Sequence, residues 1–248
     1  MSMLSKARTL IEKTFDIQIM RVREMPQGIS LPLDIKRLLP NLEVRTVLDV
    51  GANIGQSALE FLQFYPAAQL HCFEPVQATF EALKATLRNY PNVACHRIAL
   101  GSTNSEGRMV LEGASELFRL ERENPGQDTT NSSHPTETVQ VATLSDYCAQ
   151  KGISRIQVLK IDTEGYDLEV LKGAAGMLDD MRIDLVKVEA GMNEANTRHV
   201  PFDAFVKYLA PKGYVLFGLY EQAHEWPTAK PNLRRSNPVF ISRRAAGI

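Results

Sequence analysis

Cysteine is scarce in this chain: Cys72, Cys95 and Cys148 are the only three among 248 residues. They are too few and too scattered for a disulfide framework or a zinc site. Each lies in an apolar or helical context, where a cysteine is usually a small core residue. An excess of charge of one sign is missing too, with 28 lysines and arginines against 29 acids. No net field therefore recruits nucleic acid or a membrane surface, and neither is expected as a partner. No apolar run approaches the roughly 18 residues that begin to suggest a bilayer span. The first 14 residues carry charges throughout and lack the apolar stretch of a signal peptide. The expectation is a cytoplasmic protein in reducing surroundings. Internal repeats are absent as well, which excludes a solenoid.

What the chain does have is an alternation of β-branched runs and helical patterns. An arm comes first, at 1–40. There Leu4, Ala7, Leu10, Ile11, Phe15 and Ile17 recur at three- and four-residue spacing, which predicts one or two amphipathic helices reaching to Val22. Such an arm leaves a homodimer open. Pro26, Gly28, Pro32 and Pro40 then interrupt the pattern. A single domain is predicted for 41–248. Strands are predicted at 45–50, 70–74 and 93–100, with helices at 56–65 and 77–89 between them. That order is the start of a right-handed, doubly wound, mostly parallel α/β sheet. The stretch 103–137 breaks the rhythm. Apart from a short run at Arg108 to Leu111 it is rich in Asn, Gly, Pro, Ser and Thr, and it is expected to be an irregular insert, either a lid or disordered. Strands return at 138–141, 156–161 and 183–189, with helices at 144–151, 167–178 and 202–209. Runs at 214–220 and 238–242 close the domain as an antiparallel pair.

The informative segment is Val47-Leu48-Asp49-Val50-Gly51-Ala52-Asn53-Ile54-Gly55. A strand enters a tight turn and a helix begins directly after it. Gly51 and Gly55 tolerate positive φ and let backbone approach a ligand; Asn53 is the next most tolerant type. Free N–H groups at the start of the helix favour an anion there. A dinucleotide site wants G-x-G-x-x-G for a pyrophosphate, whereas the spacing here is Gly-x-Asn-x-Gly. Asp49 would repel a pyrophosphate but can accept hydrogen bonds from the amino-acid moiety of S-adenosylmethionine. Glu74 falls at the end of the second strand, about twenty residues after the turn, where an acid reads a ribose diol.

Three segments together resemble the FkbM family of methyltransferases: Leu48 to Gly55, Phe73-Glu74-Pro75, and Leu159-Lys160-Ile161-Asp162-Thr163-Glu164-Gly165-Tyr166 with Leu171-Lys172-Gly173-Ala174. The resemblance runs from about Val44 to Leu216, in order and spacing. It implies a class I, Rossmann-like methyltransferase fold, S-adenosyl-L-methionine as cofactor, and transfer to an oxygen. The acceptor class it implies is a small metabolite, sugar or glycan. Carried over by position, Asp49, Gly51, Asn53 and Gly55 would contact the methionine part, Glu74 the ribose, and Ala99 and Leu100 the adenine.

The strand ending at Ile161 delivers Asp162 and Glu164 to the crevice edge of the sheet, and Glu189 ends the next strand at the same edge. His199 follows in the loop beyond. These four are the candidate catalytic residues, since an alcohol needs a nearby base. Each has a plainer reading: Asp162 as a helix cap, Glu164 as a dipole partner, Glu189 as a strand-end acid, His199 as a packing histidine. Asp162 and Glu164 with Glu189 could instead hold a divalent metal through oxygen ligands, although no residue is assigned as a ligand. Two rivals remain at this level. One is an NAD-dependent oxidoreductase, which the glycine pattern disfavours; the other is a non-catalytic cofactor-binding protein on the same scaffold.

Overall fold

Thr46–Val50 forms strand β1, and the molecule is arranged about it. The computed structural model describes residues 3–17, 19–115, 118–121 and 134–248. On one side of β1 lie β2 (Gln69–Phe73) and β3 (Val93–His96); on the other lie β8 (Ile156–Ile161) and β9 (Ile183–Lys187). All neighbours in this set are parallel. β12 (Lys230–Ser242) runs antiparallel beside β9, carries β11 (Tyr214–Glu225) along its outer edge, and pairs with the short β10 (Ala190–Gly191). The result is the mostly parallel, doubly wound sheet with antiparallel C-terminal strands that the residue pattern implies.

Every residue of β8 is buried, as a central strand covered on both faces requires. Alternation along the strands of this sheet sorts its core onto two faces. Leu48, Val50, Leu159 and Ile161 face α5 (Leu144–Lys151), α6 (Asp167–Lys172), α7 (Ala175–Asp179) and α8 (Phe202–Leu209). Val47, Leu70 and Val158 face α2 (Leu31–Leu38), α3 (Gln56–Phe64) and α4 (Gln77–Leu87). Of the cysteines, Cys72 and Cys148 are buried and all three are free thiols. No helix among the described residues is long and apolar enough to cross a membrane.

Several elements depart from the sequence expectation. Pro32 does not interrupt a helix; it stands in the first turn of α2, where its missing N–H has no partner to lose. The amphipathic helix of the arm, α1 (Met3–Phe15), stops well short of Val22. The strand expected at 93–100 is two strands in two sheets: β3 stays in the main sheet, whereas β4 (Ala99–Gly101) pairs with β7 (Thr136–Thr143). The helix expected at 167–178 is broken at Gly173, which packs so closely on β4 that a Cβ would lie 2.0 Å from the Gly101 carbonyl oxygen.

The stretch 103–137 is not irregular where it is described. β5 (Ser105–Val110) and β6 (Arg119–Leu120) join β4 and β7 in a second sheet of order β4-β7-β5-β6. Alternation in β5 is faint because Gly107 sits on the inner face. The space of its missing side chain is filled by Leu120 and Val141, whose atoms lie 2.8 and 2.9 Å from where a Cβ would be. The Asn- and Pro-rich residues 122–133, expected to form a lid or disordered loop, lie outside the described residues.

Candidate functional site

The turn after β1 is shaped by what surrounds it. Gly51 has φ +72°, and a Cβ there would lie 1.9 Å from the Asp162 carbonyl oxygen. The ends of β1 and β8 therefore touch through backbone, and only glycine fits. The N–H groups of Gly51 and Ala52 both donate to the Phe73 carbonyl at 3.0 Å, which ties the turn to the end of β2. Asn53 holds φ +47°, and its N–H donates to Glu74 Oε2 at 3.2 Å. Gly55, at φ +99°, is the residue before α3, and Leu83 and Leu87 of α4 pack over it.

A cavity of about 320 Å³ opens above this edge. Among the anticipated residues, Gly51, Asn53, Glu74, Ala99, Leu100, Asp162, Glu164 and Glu189 line it. Asp49, Gly55 and His199 do not. Phe73, Ile98 and Leu100 give it apolar lining, as do Met109 and Leu120 of the second sheet and Phe118 beside them, while Ser115 Oγ donates to Asn53 Oδ1 of the turn.

Asp49 is placed by register rather than by the turn. It lies directly beside Lys160 in the parallel β1–β8 pair, with both side chains buried. Lys160 Nζ sits 3.0 Å from Asp49 Oδ1, 3.4 Å from Asp162 Oδ2 and 3.0 Å from the Gly51 carbonyl oxygen. One ammonium thus binds the floor of the turn, the end of β8 and a buried carboxylate. Burial alone would depress the Lys160 pKa, but Asp49 and Asp162 outweigh it and hold the group charged. Burial pushes the Asp49 carboxyl up against the pull of that same ammonium.

Glu74 is 7% exposed at the end of β2. Its Oε1 accepts from the Val76 N–H at 3.0 Å and its Oε2 from Asn53. Burial outweighs both hydrogen bonds and lifts its pKa to about 7.

Beyond the ends of β8 and β9 the acids draw together. Asp162 is one-third exposed. Glu164 stands at φ +53° and accepts from Arg198 Nε at 2.5 Å. Glu189, 4% exposed, accepts from Arg235 Nη1 at 2.6 Å through Oε1. Its Oε2 lies 2.9 Å from His199 Nε2, which is also 3.5 Å from Glu164 Oε2. Burial would lower the His199 pKa, yet the two glutamates raise it to about 9, while burial raises the Glu189 carboxyl. Asp167 clamps the strand ends: Oδ2 accepts from Thr163 Oγ1 at 2.8 Å and Oδ1 from the Glu189 N–H at 3.0 Å. It is fully buried, and burial followed by the Asp162 charge lifts its pKa to about 6.

A polar groove adjoins the cavity across Tyr166 and Leu120, which line both. His199 lines the groove and reaches through to the glutamates of the cavity.

Sequence reasoning did not single out Lys160, Asp167, Arg198, Glu221 or Arg235. A lysine inside the apolar run Ile156-Gln157-Val158-Leu159-Lys160-Ile161 was a usable signal, because a cation in a strand buried on both faces demands a counter-ion. Glu221 and Arg235 come from the C-terminal hairpin and line the cavity only through its pairing with β9, which no local pattern announces.

A doubly wound sheet with a glycine turn, a strand-end acid and a cavity at its C-terminal edge defines the class I methyltransferase fold. A family model described as the Methyltransferase FkbM domain matches residues 49–216, more than half of the chain, and the chain belongs to that family. Methyltransferase 1 of Beauveria bassiana is 30% identical over 156 residues, covering 56% of this chain and 61% of that protein. The 2-O-methyltransferase NoeI of Sinorhizobium fredii is 26% identical over 65% of this chain and 73% of its own length. The hexuronic acid methyltransferase AglP of Haloferax volcanii is 29% identical over 71% of this chain and 68% of its own. The chain thus spans about three fifths of the Beauveria protein and more of the other two.

Proposed function

We propose that this protein is an S-adenosylmethionine-dependent O-methyltransferase acting on a hydroxyl of a small metabolite, sugar or glycan. The observation that carries the reading is the cavity itself, which the glycine turn, Glu74, Asp162, Glu164 and Glu189 all line. The residues fit such a cofactor by their chemistry. Glu74 offers a carboxylate to a ribose diol, the apolar slot of Phe73, Ile98 and Leu100 suits a flat base, and the backbone of Gly51 to Asn53 suits an amino-acid end. Asp49 supports that turn from beneath through Lys160 rather than by contact.

S-adenosylmethionine, when bound, supplies a methyl group already activated by a sulfonium. What is left to the chain is to hold the acceptor oxygen in line and to take its proton. Alignment of this kind is worth about 7–11 kcal/mol, and a positioned base typically adds about 10²–10⁴-fold. Asp162 is the base we assign, because it lines the cavity, is one-third exposed and has no guanidinium bound to it among the described residues. Glu164 and Glu189 are each tied to a guanidinium, and His199 already carries a proton near neutral pH in this arrangement. The acceptor enters by the groove beyond Tyr166. That groove holds five carboxylates, with Arg108 its only guanidinium among the described residues, which suits a neutral acceptor better than a polyanion. The relative NoeI bears a name that places its methyl transfer on an oxygen, and AglP one that places its chemistry on a hexuronic acid, in keeping with this reading.

Calorimetric titration with S-adenosylhomocysteine, with NAD in parallel, tests the proposal. Saturable binding of the former and none of the latter is expected. Binding of NAD alone would overturn it.

A further inference from the structure

Glu164, Glu189 and His199 form a group that the mechanism above leaves without a task. One oxygen from each glutamate and Nε2 of the histidine all lie within 4.8 Å of one another. Their separations are compatible with a shared ion. Glu189 Oε2 is fully shielded from solvent and lies 2.9 Å from His199 Nε2, yet it accepts a hydrogen bond from no described donor. The ring and the carboxylate approach each other without pointing at each other. Two donors bound about 2.1 Å from one ion lie about 3.0 Å apart at a right angle and about 3.4 Å apart at a tetrahedral one. The Nε2 distances of 2.9 and 3.5 Å to the two glutamates fall on those values.

Two of the three side chains are also held from behind, as metal ligands usually are. Arg235 donates to Glu189 Oε1, the oxygen turned away from His199, whereas Arg198 donates to Glu164 Oε2, the oxygen nearer His199. Asn196 brackets His199 Nδ1 with both atoms of its amide, Nδ2 at 2.9 Å and Oδ1 at 3.0 Å. The amide is itself pinned, since Oδ1 accepts from the backbone N–H groups of Arg198 and His199 and Nδ2 donates to the Arg234 carbonyl. The ring is therefore fixed with Nε2 turned towards the carboxylates. Glu189 and His199 are 4% and 8% exposed, so this is not a loose cluster of surface acids.

We propose that Glu164, Glu189 and His199 bind one divalent first-row transition-metal ion at the seam between the cavity and the groove. Two carboxylate oxygens and one imidazole nitrogen make a mixed donor set that suits Mn²⁺, Fe²⁺ or Zn²⁺ better than the all-oxygen preference of Mg²⁺ or Ca²⁺. The ion takes the place of the proton on His199. Its position, between residues that line the cavity and one that lines the groove, lets it hold the acceptor oxygen and acidify its hydroxyl. This last role rests on the proposed methyl transfer; the binding of the ion does not.

The test is Mn²⁺ titration of the full chain, freed of metal by chelation, with free Mn²⁺ followed by electron paramagnetic resonance. One saturable site per chain is expected, weakened at least tenfold by His199→Ala and by Glu189→Gln. Asn196→Ala, which leaves all three ligands in place, should weaken it less, and a folded Asn196→Ala chain guards against a ligand variant that simply fails to fold. S-adenosylhomocysteine binding, measured on the same samples, separates this inference from the functional reading. A chain that binds S-adenosylhomocysteine but shows no saturable Mn²⁺ overturns the metal site alone. So does Mn²⁺ affinity that survives His199→Ala in a chain that still binds S-adenosylhomocysteine.

Discussion

Replacing Lys160 with methionine isolates the electrostatic device beneath the glycine turn. Methionine keeps most of the volume and removes the ammonium, leaving Asp49 buried at 2% exposure without its counter-ion. Breaking a buried pair from one side typically costs about 3–5 kcal/mol. The structure also sets a ceiling, because Asp49 can escape by taking a proton. From its ordinary value of 3.8 to pH 7, at about 1.4 kcal/mol per pH unit, protonation costs at most ~4.5 kcal/mol. For a chain of this size a loss of about 3–4.5 kcal/mol is a fall in Tm of roughly 6–18 °C, at about 2–4 °C per kcal/mol. The ceiling drops as pH falls, so near pH 5 the penalty should shrink to roughly 1.7 kcal/mol or less. Adding Asp49→Asn to Lys160→Met removes the stranded charge and should recover at least half of the loss at pH 7. Urea unfolding at pH 5 and pH 7 on the two single variants, the double variant and the parent closes the cycle. A Lys160→Met penalty under about 1 kcal/mol at pH 7, or one independent of pH, would refute the pairing.

Three further outcomes are expected. Glu74 has its pKa raised to about 7, and a ribose diol donates to the carboxylate form, so S-adenosylhomocysteine affinity should rise with pH, by roughly tenfold from pH 6 to pH 8. Glu74→Gln should weaken binding and flatten that profile; an unchanged slope in the variant would assign the titration to another group. The same raised pKa means that ionising Glu74 opposes folding, so its contribution to stability is full below about pH 4.5 and is lost as pH rises through 7. Gly51→Ala places a methyl 1.9 Å from the Asp162 carbonyl oxygen at positive φ, and should cost more than about 2 kcal/mol while abolishing cofactor binding; a parental melting curve would mean the turn is more pliant than described. Asp162→Asn should keep S-adenosylhomocysteine affinity within a few-fold yet slow transfer to a hydroxyl acceptor by about 10²–10⁴-fold. Loss of cofactor binding in that variant would move Asp162 from the acceptor to the cofactor.

The first strand, its glycine turn and the acid ending the second strand were legible because each is a local signal. β-Branched residues, a positive-φ turn and a helix start are read within a dozen residues. The alternation that separates Leu48 and Val50 from Val47 is of the same kind. The strands of the 103–137 stretch were hidden because their pattern depends on Gly107 meeting Leu120 and Val141 from other strands. The Gly173 break was hidden for a similar reason, since it answers to the backbone of β4. Of the anticipated site residues, the cavity gathers those at strand ends, where position follows from strand length alone. Asp49 stands below it because the β1–β8 register sets it beside Lys160. His199 reaches the glutamates only because Asn196 orients its ring, and Arg235 reaches Glu189 only because β12 inserts antiparallel beside β9. Residue type and local spacing thus determined the family, the turn and the edge of the sheet that carries the site. Which charges meet there was decided by strand register and by pairing between segments far apart in the chain, because the partner of a buried charge is whatever the packed sheet sets beside it.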